Sequence, residues 1–141
     1  MTDAQTSPDS DDSLCTQVRV FYEDTDASGV VYHANYLKYM ERARTLWLEA
    51  RGGSHRVLAS EQGIAFTLAD ANIMFRSPAR LDDTLDVSAT VVERRRVRIV
   101  FAQEIHCEGR LLIKARFTVA CVRLSDFKPR ALPAVLLKEI E

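Results

Sequence analysis

The chain has 141 residues, 47% of them hydrophobic and 28% charged, with a formal net charge of −1. That length supports one domain with a real core and leaves no room for a second of similar size. The balanced charge argues against a dedicated nucleic-acid binder, and no run approaches the ~18 apolar residues of a membrane span.

Residues 1–14, MTDAQTSPDSDDSL, are polar and acidic, with no periodic apolar pattern. They are expected to form a disordered tail, because they cannot bury enough surface to offset ordering entropy. The single domain then runs over 15–141. Its first strand is predicted at about 15–22, where Val18, Val20 and Tyr22 alternate with Arg19 and Phe21. A turn-rich acidic loop follows, Glu23-Asp24-Thr25-Asp26-Ala27-Ser28-Gly29. Next comes an amphipathic segment in which Tyr36, Tyr39, Met40, Ala43, Leu46, Trp47 and Ala50 recur at helical spacing. Asn35 reads as the helix cap and Gly52-Gly53 as its stop.

Ser54–Gln62 fits a short helix or ordered connection closed by Gly63. Strands are predicted at Ile64–Arg76, Leu85–Glu93, Val97–Cys107 and Leu111–Leu124, with turns at Asp82-Asp83 and Glu108-Gly109-Arg110. Pro133 opens a short terminal helix over Ala134–Ile140. One long helix followed by a run of strands predicts an α+β fold in which a five-stranded antiparallel sheet wraps the helix. The remaining apolar edge predicts oligomerisation.

Three readings of the acidic loop stay open on residue types. Glu23, Asp24 and Asp26 could be a solvated turn, since Asp side chains bond nearby backbone. They could hold a metal with His33, although no second histidine or helical ligand pair supports this, and no metal is expected. Alternatively, one Asp is a nucleophile or general base beside a helix start, where the amides from Gly29 to His33 would stabilise a developing oxyanion. His33 could equally be a polar cap residue, and His55 and His106 stand alone. Arg94, Arg95, Arg96 and Arg98 are either solvated charge at a strand end or a site for the phosphates of an extended ligand. No G-x-S-x-G elbow is present. Cys15, Cys107 and Cys121 lack a catalytic signature and a C-x-x-C pair, which points to reduced thiols in the cytoplasm. The N-terminus carries no basic-then-apolar leader pattern.

The block YEDTDASGVVYHANYLKYMERAR, with PARLDDTL and FKPRALP further on, resembles the signature of the 4-hydroxybenzoyl-CoA thioesterase family of hotdog-fold proteins. Within it, the bacterial Tol–Pal-associated acyl-CoA thioesterases are most similar. The resemblance covers roughly residues 17–138. It implies a hotdog fold and hydrolysis of an acyl-CoA thioester, with CoA as part of the substrate and no separate cofactor. It places the catalytic carboxylate at Asp26, the oxyanion-binding backbone N–H at His33, and a close backbone approach at Gly29. It makes Arg95 and Arg96 candidates for the CoA phosphates. It further implies a homodimer or a tetramer of dimers, and allows acyl-carrier protein as another donor. Two other readings accompany it. One is a hotdog enoyl-thioester hydratase, against which stands a shorter Asp-to-His spacing than the six residues separating Asp26 from His33. The other is a non-catalytic acyl-carrier or envelope-complex partner.

Overall fold

A computed structural model describes residues 12–137. Five strands form one antiparallel sheet: β1 (Ser13–Arg19), β2 (Ile64–Phe75), β3 (Thr84–Arg94), β4 (Arg98–Cys107) and β5 (Arg110–Arg123), in the order β1-β3-β4-β5-β2. Against its concave face lies α1 (His33–Ala50); α2 (His55–Val57) runs into a π-helical turn at Leu58–Gln62, and α3 (Ala134–Leu137) comes last. This is the sheet-wrapped helix of a hotdog fold.

The strand alternation explains the layering. Leu85, Val87, Ala89 and Val91 of β3 and Ile99, Phe101 and Ile105 of β4 point inward and are buried. They meet Tyr36, Tyr39, Met40, Ala43 and Trp47 of α1, whose indole stands edge-on to Phe101 at 5.2 Å. Leu46, expected in that stripe, is exposed, and Leu48 is buried instead. The chain returning after the helix covers Leu48. A Cβ on Gly53 would sit 2.5 Å from Leu48 Cδ1, so a larger residue there would have to push that side chain aside.

β3 and β4 keep one register from Asp86 to Val91, but Ser88 and Ala89 make no ladder pair with Glu104 and Gln103, and the register shifts only past Val91. Side chains close this gap. The fully buried Gln103 Nε2 donates to Ser88 O and to Met40 O of α1, each at 3.0 Å, and Glu104 N donates to Ser88 Oγ at 3.0 Å. Gln103 Oε1 accepts from Arg44 Nη1 at 2.9 Å.

The first strand begins earlier and ends sooner than predicted. Ser13 and Leu14, assigned to the tail, pair with Thr90 and Ala89, while Tyr22 belongs to a 3₁₀ turn, Tyr22–Asp24. Asp12 anchors this start. Its carboxylate accepts from Arg94 at 2.8 Å and its carbonyl from Trp47 Nε1 at 3.1 Å. The rest of the expected tail, residues 1–11, lies outside the described residues, as do residues 138–140 of the expected terminal helix.

Candidate active site

The acidic loop folds as a tight hairpin. Asp26 N donates to Val30 O at 2.9 Å, Gly29 N to Asp26 O at 3.0 Å and Tyr32 N to Asp24 O at 2.9 Å. Thr25 pairs with Val31, and Val30 pairs with Arg80 near the start of β3. Residues 30–32 then run directly into α1. The hairpin turns at Gly29, whose φ of +84° lies in the left-handed region. No described residue lies within 4 Å of the position a Cβ would take, so the positive φ is what the surrounding protein requires of this glycine.

Asp26 is exposed. Its Oδ1 accepts from Ser28 N at 2.8 Å and from Ser28 Oγ at 2.6 Å, whereas Oδ2 has no bonded partner among the described residues. The Ser28 hydroxyl, then the Ser28 amide, holds the carboxyl below the usual carboxylate range. One oxygen is therefore anchored in an ionised group and the other is free to act. Ser28 was not singled out as a partner from the sequence, although its position two residues after Asp26 is the ordinary spacing of an Asx turn.

His33 is the first residue of α1, with Tyr32 as N-cap. Asn35 N donates to Tyr32 O at 2.8 Å, and the amides of His33 and Ala34 bond to nothing among the described residues. They are two of the free donors that a helix start always leaves. The His33 ring is exposed and packs 4.5 Å from Tyr32, centroid to centroid. Asn35 is not the cap expected from the sequence. It lies in the first turn and donates from Nδ2 to Asp24 Oδ1 at 2.8 Å. With the helix starting at His33, the Asn35 side chain is past the cap position and its amide nitrogen donates to Asp24 instead.

Arg95 and Arg96 are exposed in the turn between β3 and β4, where Arg95 pairs with Glu93. The acidic loop is tied to the other end of β3 through Val20 N and Asp83 O, at 2.9 Å. Ten residue steps of strand put those ends about 33 Å apart, so one chain does not bring these arginines to Asp26. Their neighbour Arg94 is turned inward against Asp12 and Trp47. Among the described residues no His, Cys, Asp and Glu side chains group as metal ligands, and no helix is long and apolar enough to cross a membrane.

A groove of about 370 Å³ opens along α1, starting at Leu37, one turn beyond His33, and reaching Leu48. Its far wall is Phe66 and Leu68 of β2 with Val119 of β5, and Leu136 of α3 closes one side. Sequence reading could not find it, because it joins six elements spread along the chain.

The Thioesterase superfamily profile matches residues 28–114. The acyl-CoA thioester hydrolase YbgC of Escherichia coli O6:H1 is 42% identical over 125 residues, 88% of this chain and 92% of that one. The acyl-CoA thioesterase YbgC of Haemophilus influenzae is 43% identical over 123 residues, 87% and 90% of the two chains. Among solved structures, a probable thioesterase from Bartonella henselae superposes with a TM-score of 0.82 at 34% identity, over 86% of this chain and 99% of that one. The 4-hydroxybenzoyl-CoA thioesterase of Pseudomonas sp. strain CBS-3 gives 0.82 at 23% identity, over 89% and 97%, and so shares the fold. The match to the profile over most of the chain, together with relatives this similar across nearly their whole length, makes the chain a member of the thioesterase superfamily.

Proposed function

We propose that the chain hydrolyses acyl-CoA thioesters to free CoA and a carboxylic acid, with Asp26 as the reacting carboxylate. The observation that carries this reading is that Asp26, held by one oxygen, lies in the hairpin that runs straight into α1, whose first two amides are unbonded among the described residues. The names of the relatives above point the same way.

In this mechanism Asp26 Oδ2 attacks the thioester carbon, expelling the thiolate and leaving a mixed anhydride for water to open, or it takes a proton from the water that attacks. Either route puts negative charge on the carbonyl oxygen. The His33 amide, aided by the α1 dipole, receives that charge. One such donor is worth on the order of 3 kcal/mol in transition-state stabilisation. The apolar groove from Leu37 to Leu48 suits the acyl group.

The working enzyme is a homodimer or a tetramer of dimers. β2 is a 12-residue edge strand on which Leu68, Met74 and Phe75 are exposed, a surface that calls for cover. Pairing of two copies also allows Arg95 and Arg96 of one to hold the CoA phosphates of a substrate bound at Asp26 of the other, which the length of β3 forbids within one chain. A cytoplasmic location is supported by the unpaired, non-C-x-x-C cysteines, whereas association with the Tol–Pal system and acyl-carrier protein as a second donor follow from the resemblance alone.

The test is thiol release from short, long and aromatic acyl-CoAs by the wild type and Asp26→Asn. The asparagine keeps an acceptor for Ser28, so folding is preserved, and turnover is expected to fall to near background. Wild-type rates in Asp26→Asn would remove this mechanism. A 3-hydroxyacyl product without free thiol would make the protein a hydratase, and binding without turnover would make it a carrier partner.

A further inference from the structure

Two aspartates occupy the loop, and their surroundings differ. Asp26 leaves one oxygen open. Asp24 leaves none: Oδ1 accepts from Asn35 Nδ2 at 2.8 Å and Oδ2 from Phe21 N at 2.9 Å. Its backbone is engaged too, donating to Phe21 O and accepting from Tyr32 N, each at 2.9 Å. Asp24 thus joins the end of β1, the hairpin and the first turn of α1. No other side chain in the loop bonds to α1 among the described residues. The buried Tyr39 hydroxyl, one turn along the same helix face from Asn35, has no bonded partner among the described residues. Burial, followed by the nearby Asp24 carboxylate, pushes its pKa up, so it stays a neutral phenol beside that charge.

We infer that the Asp24–Asn35 hydrogen bond is the positioning clamp of the reaction: it sets where the hairpin holds Asp26 against the unbonded amides at His33 and Ala34. Asp24 itself does not touch substrate. Its oxygens are committed to ordering, and the register between carboxylate and helix start depends on them. This inference rests on the thioesterase reading and adds a residue pair to it.

The bond has a donor side and an acceptor side, so it can be inverted. In Asp24→Asn/Asn35→Asp, the side-chain amide introduced at position 24 donates through its nitrogen to the carboxylate introduced at position 35. Its oxygen still accepts from Phe21 N. Asn35→Asp alone sets two carboxylates at hydrogen-bond distance, and Asn35→Leu removes the donor. Asp24→Asn alone is mild, because Asn35 can turn its amide and present oxygen.

The experiment measures kcat and KM for thiol release in these four variants, with thermal melting and amide exchange at Phe21 and Tyr32. Asn35→Asp and Asn35→Leu are expected to lose about 100-fold in kcat, the scale of a small misplacement at a reacting centre, with KM within a few-fold of wild type. The inverted pair should return to within about tenfold. Amide exchange at both positions should quicken in the two single Asn35 variants and slow again in the inverted pair.

If Asp24→Asn alone abolishes turnover and the inverted pair stays dead, Asp24 is a reacting carboxylate and the clamp is wrong. If the Asn35 variants melt early yet keep wild-type kcat, the bond is only structural and the inference again fails. Should Asn35→Asp not fold, Asn35→Leu and the inverted pair still decide. A wild type that releases no thiol overturns the thioesterase reading itself, whereas an active wild type indifferent to Asn35 overturns the clamp alone.

Discussion

Replacing Gln103 by leucine should cost far more than its modest chemistry implies. The side chain is 0% exposed and closes the break in the β3–β4 ladder. Leucine has nearly the same volume, so no cavity term enters. What disappears is two neutral donations, to Ser88 O and Met40 O, and one acceptance from the Arg44 guanidinium. Neutral bonds contribute about 1 kcal/mol each and a bond to a charged group about 1.5–3 kcal/mol. Arg44, whose pKa burial already lowers, then loses that acceptor and keeps the ring of Phe117, 4.6 Å away. The loss comes to about 4 kcal/mol, against a total stability of about 5–15 kcal/mol. At about 3–4 °C per kcal/mol for a chain of this size, the melting midpoint should drop by roughly 14 °C. Thermal and urea unfolding of the wild type, Gln103→Leu and Arg44→Met/Gln103→Leu measure this. The double variant, with no cation left facing an apolar neighbour, should be more stable than Gln103→Leu. A Gln103→Leu midpoint within about 3 °C of wild type would refute the reasoning, because the three bonds would then be worth nothing net.

Ser28→Ala removes the largest cause of the lowered Asp26 pKa. Hydrogen bonds to the carboxylate favour its ionised form, so losing one raises the pKa and moves the acid limb of kcat/KM to higher pH. An unmoved limb in a pH–rate series would show that Asp26 ionisation does not control it. Gly29→Ala meets no atom within 4 Å but must hold φ at +84°, so it should cost about 1–2 kcal/mol in denaturant unfolding, all of it conformational.

Much of the fold was legible because its signals are periodic. The 3.6-residue stripe of α1 and the alternation in β3 and β4 need no knowledge of partners, and the observed ends of those strands fall within a residue or two of those read from the chain. The failures lie where a distant partner decides. Asp-Asp-Ser at 11–13 reads as tail, yet Ser13 is held by Thr90, 77 positions away. Arg94 reads as one of a solvated or phosphate-binding run, yet it turns to Asp12, 82 positions away. Asn35 fits the local capping rule, yet the helix starts at His33 and the Asn35 amide donates to Asp24, eleven positions back. At the site, Asp26, Gly29 and His33 were reached through a motif. Ser28 was within reach of a local rule, while the groove along α1 was not, since β2, β5 and α3 each supply part of its wall.

The bond between Asp12 and Arg94 ties the chain just before β1 to the far end of β3. The Arg94 side chain is only 7% exposed and sits beside the indole of Trp47. A chain trimmed to begin at Cys15, where hydrophobic pattern alone would cut it, would strand that guanidinium in an apolar wall with its carboxylate gone. The same cut removes the carbonyl that satisfies the indole N–H. Shortened versions should therefore be chosen to keep Asp12.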